Sequence, residues 1–171
     1  MIQHQLEHNN TGFTQKQHPI ILICDQLTGA ANIGSIFRLA DGFGIQKIYF
    51  LGPEVEINRR IEKTSRSTHK FIDYEFVDHM DQIDFEQDHK KRNCIALEIT
   101  DTSKPIQNLT LQTDLPTYLI IGNENYGISQ RLLNLVDQSY HIYMYGKNSS
   151  MNIAQATGIA LYEITNLYVT V

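Results

Sequence analysis

Long apolar runs are missing from this sequence. The longest, such as residues 19–24 (PIILIC), fall far short of the roughly 20 residues that a helix needs to cross a bilayer. Residues 1–18, MIQHQLEHNNTGFTQKQH, are polar and hold no stretch resembling the apolar core of a secretory signal, so a polar N-terminal tail and a cytoplasmic location without membrane contact are expected. Cysteine is scarce. Cys24 and Cys94 both lie inside apolar runs, which favours buried, reduced thiols over a disulfide. Tryptophan is absent, and there is neither a repeat nor a low-complexity tract. The seven histidines form no spacing typical of a metal site, with His4 and His8 in the tail, so no metal is expected. An overall positive charge is lacking too: 14 Lys and Arg against 19 Asp and Glu leave a net charge of −5.

What is present is charge that is segregated. Arg59, Arg60, Lys63, Arg66 and Lys70 crowd one segment around a single Glu62. Asp73, Glu75, Asp78, Asp81, Asp84, Glu86 and Asp88 then follow without a Lys or Arg among them. This permits a local basic face on an acidic chain; two solvated surface segments are the plainer reading of charge alone. The length, 171 residues, suits one domain over residues 19–171. Short apolar runs (PIILIC, KIYFLG, NCIALEI, TYLIIG, HIYMYG) predict buried strands, and the alternation in FIDYEFV predicts an edge strand. Helical patterns separate them over 32–42, part of 58–67, 78–91, 129–138 and 150–167, while residues 100–116 read as a polar connection with room for a short helix. Alternation of this kind predicts an α/β fold, a mostly parallel sheet flanked by helices. Ligands of such sheets sit beyond the carboxyl ends of the strands, where polar, glycine-containing segments stand at 25–38, 122–129 and 145–152.

In the first segment Ile33, Ile36, Phe37 and Ala40 recur with helical spacing, and Asn32 is a candidate N-cap. Gly34 costs about 1 kcal/mol against Ala in a helix, which suggests room kept for a ligand that Arg38 would clamp with its planar fork of donors. Asn32 as a cap and Arg38 as a partner of Asp41 are the structural alternatives, and they leave Gly34 unexplained. In the second, Gly122 and Gly127 can take a left-handed backbone or admit a ligand, with Glu124 between them and Ser129 as a candidate cap. In the third, Ser149 or Ser150 could cap a helix whose Ala154, Ala156, Gly158 and Ala160 make a flat surface suited to close packing. No G-x-G-x-x-G or P-loop signature accompanies these segments.

Taken in order, Asn32-x-Gly34-x-x-x-Arg38, Gly122-Asn123-Glu124-x-x-Gly127, and Ile142-x-Met144-x-Gly146 followed by Ser150-Met151-Asn152 resemble the motifs of the SpoU (TrmH-like) RNA ribose methyltransferases of the SPOUT superfamily. The resemblance covers about residues 19–167. Gly29-Ala30 replaces a frequent Asp-Pro, Tyr143 a frequent proline and Met151 a frequent leucine. The resemblance implies a C-terminal trefoil knot, a homodimer, and S-adenosylmethionine held by Leu97, Gly122, Gly127, Ile142, Met144 and Met151. It also implies 2′-O-methylation of a ribose in tRNA or rRNA, with Asn32, Arg38, Glu124, Ser150 and Asn152 as catalytic residues. Relatives are proposed to use the motif arginine as base. Its very high pKa favours instead a clamp on the phosphate or ribose that stabilises a developing alkoxide. Arg59, Arg60, Lys63, Arg66 and Lys70 are the candidate grip on RNA. A catalytically silent, dimeric RNA-binding protein of the same fold is the principal alternative. An enzyme using another nucleotide and a protein-binding module built on the flat C-terminal helix are further ones.

Overall fold

The computed structural model describes residues 4–6, 10–85 and 89–169; His8, Glu86, Asp88 and part of the expected tail lie outside them. Seven strands form one sheet: β1 (His18–Asp25), β2 (Ile45–Leu51), β3 (Tyr74–Val77), β4 (Asn93–Leu97), β5 (Lys104–Pro105), β6 (Thr117–Ile121) and β7 (Gln138–His141). Their order is β3-β2-β1-β6-β4-β7-β5 and every pairing is parallel. The helices are α1 (Ala30–Gly42), α2 (Arg59–Ser65), α3 (Gln130–Leu133) and α4 (Ile153–Val169). β1 shows why the central runs are continuously apolar. Ile20, Leu22 and Cys24 feed the core shared with α1 and α4, while Ile21 and Ile23 feed the core on the opposite face. The expected edge strand is β3, at one end of the sheet.

Several elements differ from the sequence-based expectation, each for a local reason. Residues 78–85 make only a 3₁₀ turn at Met80–Gln82. There the Gln82 side chain accepts from Asp78 N–H and His79 N–H, and buried Met80 and Ile83 pin the turn to the core. α3 stops after Leu133 rather than running to 138, because Asp137 is drawn alongside β4: its N–H donates to Cys94 O (2.7 Å), and its Oδ2 accepts from Cys94 N–H (2.7 Å). The last strand therefore starts at Gln138. It ends at His141 because β4 ends opposite Tyr140 and β5 opposite His141, leaving residues 142–146 without a neighbour to pair with. β5 itself, with Pro105, has no apolar run to announce it.

α1 begins two residues before Asn32, with Gly29 as its cap position and no side-chain cap; the side chain of Asn32 is engaged elsewhere, as described below. Gly34 does not keep space for a ligand. A Cβ there would lie 2.7 Å from Thr64 Cβ, 2.9 Å from Ile61 O and 3.1 Å from Ser65 N, so the bare position is where α2 seats against α1. α4 is capped by Asn152, whose Oδ1 accepts from Ala154 N–H (2.9 Å) and Gln155 N–H (3.3 Å), and not by Ser149 or Ser150. Its small residues are spent inside the chain: Ala160 is fully buried, and a Cβ on Gly158 would already touch Leu39 of α1. The flat surface is a packing face, and the outer face of α4 carries Ile159 and Tyr162 instead.

Candidate functional site

The four segments that follow β1, β4, β6 and β7 meet beyond the carboxyl ends of those strands and enclose a cavity of about 450 Å³. That is within the usual range for a small-molecule pocket. Leu97, Gly122, Gly127, Ile142, Met144 and Met151, named from the sequence as a cofactor set, all line it. So do Asn32, Glu124, Ser150 and Asn152. Arg38 does not. It stands on α1 six residues beyond Asn32, roughly 9 Å along the axis, exposed and without an ion pair among the described residues.

The polar wall is a chain of hydrogen bonds that crosses the whole sequence. Asn152 Nδ2 donates to Asn32 Oδ1 (2.9 Å), and Asn32 Nδ2 donates to Glu124 Oε1 (2.8 Å). Asn152 thus caps α4 with one end of its amide and fixes Asn32 with the other. The Glu124 carboxylate adds to burial in pushing the thiol of Cys24, at the end of β1, well above its usual pKa. Cys24 is therefore held as a neutral, sealed thiol and offers no nucleophile.

Two carboxylates that the sequence reading did not assign hold the loop bearing Glu124. Glu98 accepts from Ile99 N–H with Oε1 (2.9 Å) and from Ile128 N–H with Oε2 (3.0 Å). Gly127, left-handed at φ +68°, is the residue that gives Glu98 its place, since a Cβ there would collide with Oε2. Buried Asp25 accepts from Ser129 N–H (2.7 Å). Asn123 closes the loop on itself, taking Asn125 N–H and Tyr126 N–H on Oδ1 and donating from Nδ2 to Gln26 O. Gly122 has no left-handed backbone. It is bare because the Gly127–Ile128 peptide lies directly against it, so a valine there would break the loop as well as fill the pocket. A carboxylate directly after an apolar strand, as in LEI and CDQ, is the signal that could have pointed to Glu98 and Asp25.

The five basic residues after β2 are all exposed on α2 and the turn that follows, and none has an ion pair among the described residues. They do not line the cavity. No group of three or more His, Cys, Asp or Glu able to hold a metal is found among the described residues.

Comparison with known proteins fixes the family, since residues 19–162 match the SpoU rRNA Methylase family. The chain belongs to that family. It is 26% identical over 163 residues to the tRNA (guanosine(18)-2′-O)-methyltransferase of Aquifex aeolicus, covering 95% of this chain and 76% of that one. Identity is also 26% over 149 residues to the 23S rRNA (guanosine-2′-O-)-methyltransferase RlmB of Pseudomonas aeruginosa, covering 85% of this chain and 58% of that protein. The crystal structure of the A. aeolicus TrmH/SpoU tRNA modifying enzyme superposes with a TM-score of 0.79 at 28% identity, over 91% of this chain and 78% of that one. At 22% identity, AviRb of Streptomyces viridochromogenes in complex with the cofactor AdoMet shares the fold, with a TM-score of 0.76 over 96% of this chain and 62% of that one. The SpoU chain described here thus carries its family's α/β sheet.

Proposed function

We propose that this protein is an S-adenosylmethionine-dependent RNA methyltransferase acting on a ribose 2′-hydroxyl of tRNA or rRNA. The observation that carries this reading is the meeting of three distant motif segments on one cavity, tied by the Asn152–Asn32–Glu124 chain. The cavity suits the cofactor: Leu97, Ile142, Met144 and Met151 offer apolar contact for an adenine ring, and Asn32, Glu124 and Asn152 offer polar groups for the amino-acid end. When bound, S-adenosylmethionine supplies an electrophilic methyl group on a sulfonium.

The chain's own residues do the rest by positioning. Asn152 orients Asn32, Asn32 orients Glu124, and Glu98 and Asp25 hold the loop from beneath. Ser150, on the cavity wall, is a further donor for the ribose or cofactor. Arg38, an exposed guanidinium on the same helix as Asn32, is assigned to the ribose or its phosphate and to the charge that develops on the 2′-oxygen as it loses its proton. The basic residues 59–70 would grip the RNA backbone in a salt-dependent manner. A homodimer belongs to this reading and is supported by Ile159 and Tyr162 exposed along α4. The knot is supported by the order β4-β7-β5, in which the last strand lies between two earlier ones.

The test is transfer of a labelled methyl group from S-adenosylmethionine to mixed tRNA and rRNA, read as nuclease-resistant 2′-O-methyl sites. Calorimetric titration with the cofactor runs alongside. Arg38→Ala should abolish transfer and leave cofactor affinity within about twofold. Near-normal turnover in Arg38→Lys would remove the argument from fork geometry. RNA binding without cofactor binding or transfer would favour the catalytically silent alternative.

A further inference from the structure

The turn that follows α2 holds one apolar ring out in solvent in a segment rich in exposed cations. Asn58 caps α2, accepting from Arg60 N–H (3.0 Å) and Ile61 N–H (3.1 Å). After Ser65 the chain reverses through two successive left-handed residues that are not glycine, Arg66 at φ 51° and Ser67 at φ 68°. Such a pair persists only where the surroundings over-determine it, and here they do. Ser65 Oγ meets His69 Nδ1 at 2.9 Å in the interior, Thr68 Oγ1 donates to Ser65 O (2.8 Å), and the buried His69 ring lies edge-on to Phe37 of α1. With Gly34 admitting α2 onto α1, the turn is anchored to the helix that carries Asn32 and Arg38.

The result is an arrangement in which His69 is inside and Arg66, Lys70 and Phe71 are outside. Phe71 is 80% exposed. Ile61 is buried and Ile72 half-buried, so Phe71 is the single large apolar side chain that this segment turns to water. Of the nearby carboxylates, Glu62 is the only one within residues 59–70, and Asp73 is occupied by Lys47 at 3.6 Å. A protein partner seeking apolar contact would find no second exposed large apolar side chain within residues 58–77. A partner read only through its phosphates would have no use for it. A flat, apolar face exposed in the same short segment as Arg66 and Lys70 fits a nucleobase whose own phosphates reach those cations.

We propose that Phe71 is a stacking platform for an unpaired base of the RNA, with Arg66 and Lys70 taking the flanking phosphates. This rests on the RNA-binding reading of the preceding section and adds to it a demand for a single-stranded segment next to the gripped backbone. The absence of tryptophan makes the test direct, because Phe71→Trp installs the only indole in the chain. Its emission should be quenched by a single-stranded RNA oligonucleotide. It should stay unquenched by the same oligonucleotide carrying abasic residues, and by blunt duplex RNA. Phe71→Ala should weaken single-stranded binding about tenfold or more at every salt concentration, leaving the salt slope as in the parent. Arg66→Gln should instead flatten the slope by about one phosphate contact. Equal quenching by the abasic strand, or parental affinity in Phe71→Ala, would overturn the platform while leaving RNA binding in place. Failure of the parent to bind any RNA would overturn the platform together with the broader reading.

Discussion

Two polar networks stand at opposite ends of the same sheet and differ in one respect that decides their use. At the amino ends of the strands, Arg92 is 1% exposed and donates to Asp137 Oδ2 (3.2 Å) and Leu135 O (3.2 Å), with its guanidinium 4.5 Å from the centre of the Phe85 ring. Asp137 in turn accepts from the Cys94 backbone. At the carboxyl ends, Asn152, Asn32 and Glu124 are linked just as tightly, yet they border a cavity, whereas Asp137, though it too reaches solvent, holds a buried guanidinium and lines none. Both networks join segments far apart in sequence. The first has spent its hydrogen-bonding capacity on the fold. The second keeps faces free for a ligand. The thiol of Cys94 shows how tightly the amino end is sealed: burial drives its pKa up to about 12, with Arg92 pulling down and Asp137 pushing up.

The contrast sharpens into a ladder of stability effects. Asp137→Ala leaves the buried Arg92 guanidinium with Leu135 O but without its carboxylate, and frees the Cys94 N–H, so chemical denaturation should show a loss of about 3 kcal/mol. The result would break the contrast if the loss were no larger than for a surface substitution. Gly34→Ala comes next. Against a helix-propensity gain of up to about 1 kcal/mol, the added methyl meets the α2 backbone, and a net loss of about 1–2 kcal/mol is expected from the same measurement. Asn152→Ala removes a cap and should cost about 1 kcal/mol, while cofactor affinity falls with it because Asn32 loses its support. Glu124→Gln, at the open end, should shift stability by less than about 0.5 kcal/mol and reduce methyl transfer by at least about 100-fold. Little change in turnover there would move the functional centre away from this carboxylate.

Legibility in the sequence followed burial. β1, β4 and β6 were readable because both of their faces are covered, which makes the run apolar, and β2 was readable from Ile48 to Leu51 for the same reason. β7 was misplaced because its own residues, Gln138 to His141, are mostly polar, while the apolar-looking residues that follow leave the sheet to line the cavity with Ile142 and Met144. The motif residues that line the cavity were legible as a group through the order and spacing in which they resemble the SpoU family; singly, asparagine and glycine are ordinary residues of loops and caps. Glu98 and Asp25 were not. Their place at the end of an apolar strand is the one local signal, and it does not name their partners, Ile128 and Ser129, which lie 30 and 104 residues away. Gly34 was singled out correctly as anomalous, but the reason was a neighbouring helix that only the fold brings into contact.

The 120 residues that separate Asn152 from Asn32 have a consequence in time as well as in space. Contacts between remote parts of a chain form late, because the intervening segment must give up its freedom before they return anything. The cavity is therefore expected to be complete only in molecules whose long-range contacts have formed. A ligand that fills it binds none of the earlier species and draws the population toward the finished state by mass action. The onset of cofactor binding after dilution from denaturant would then serve as a clock for the final closure, lagging behind the appearance of helical signal.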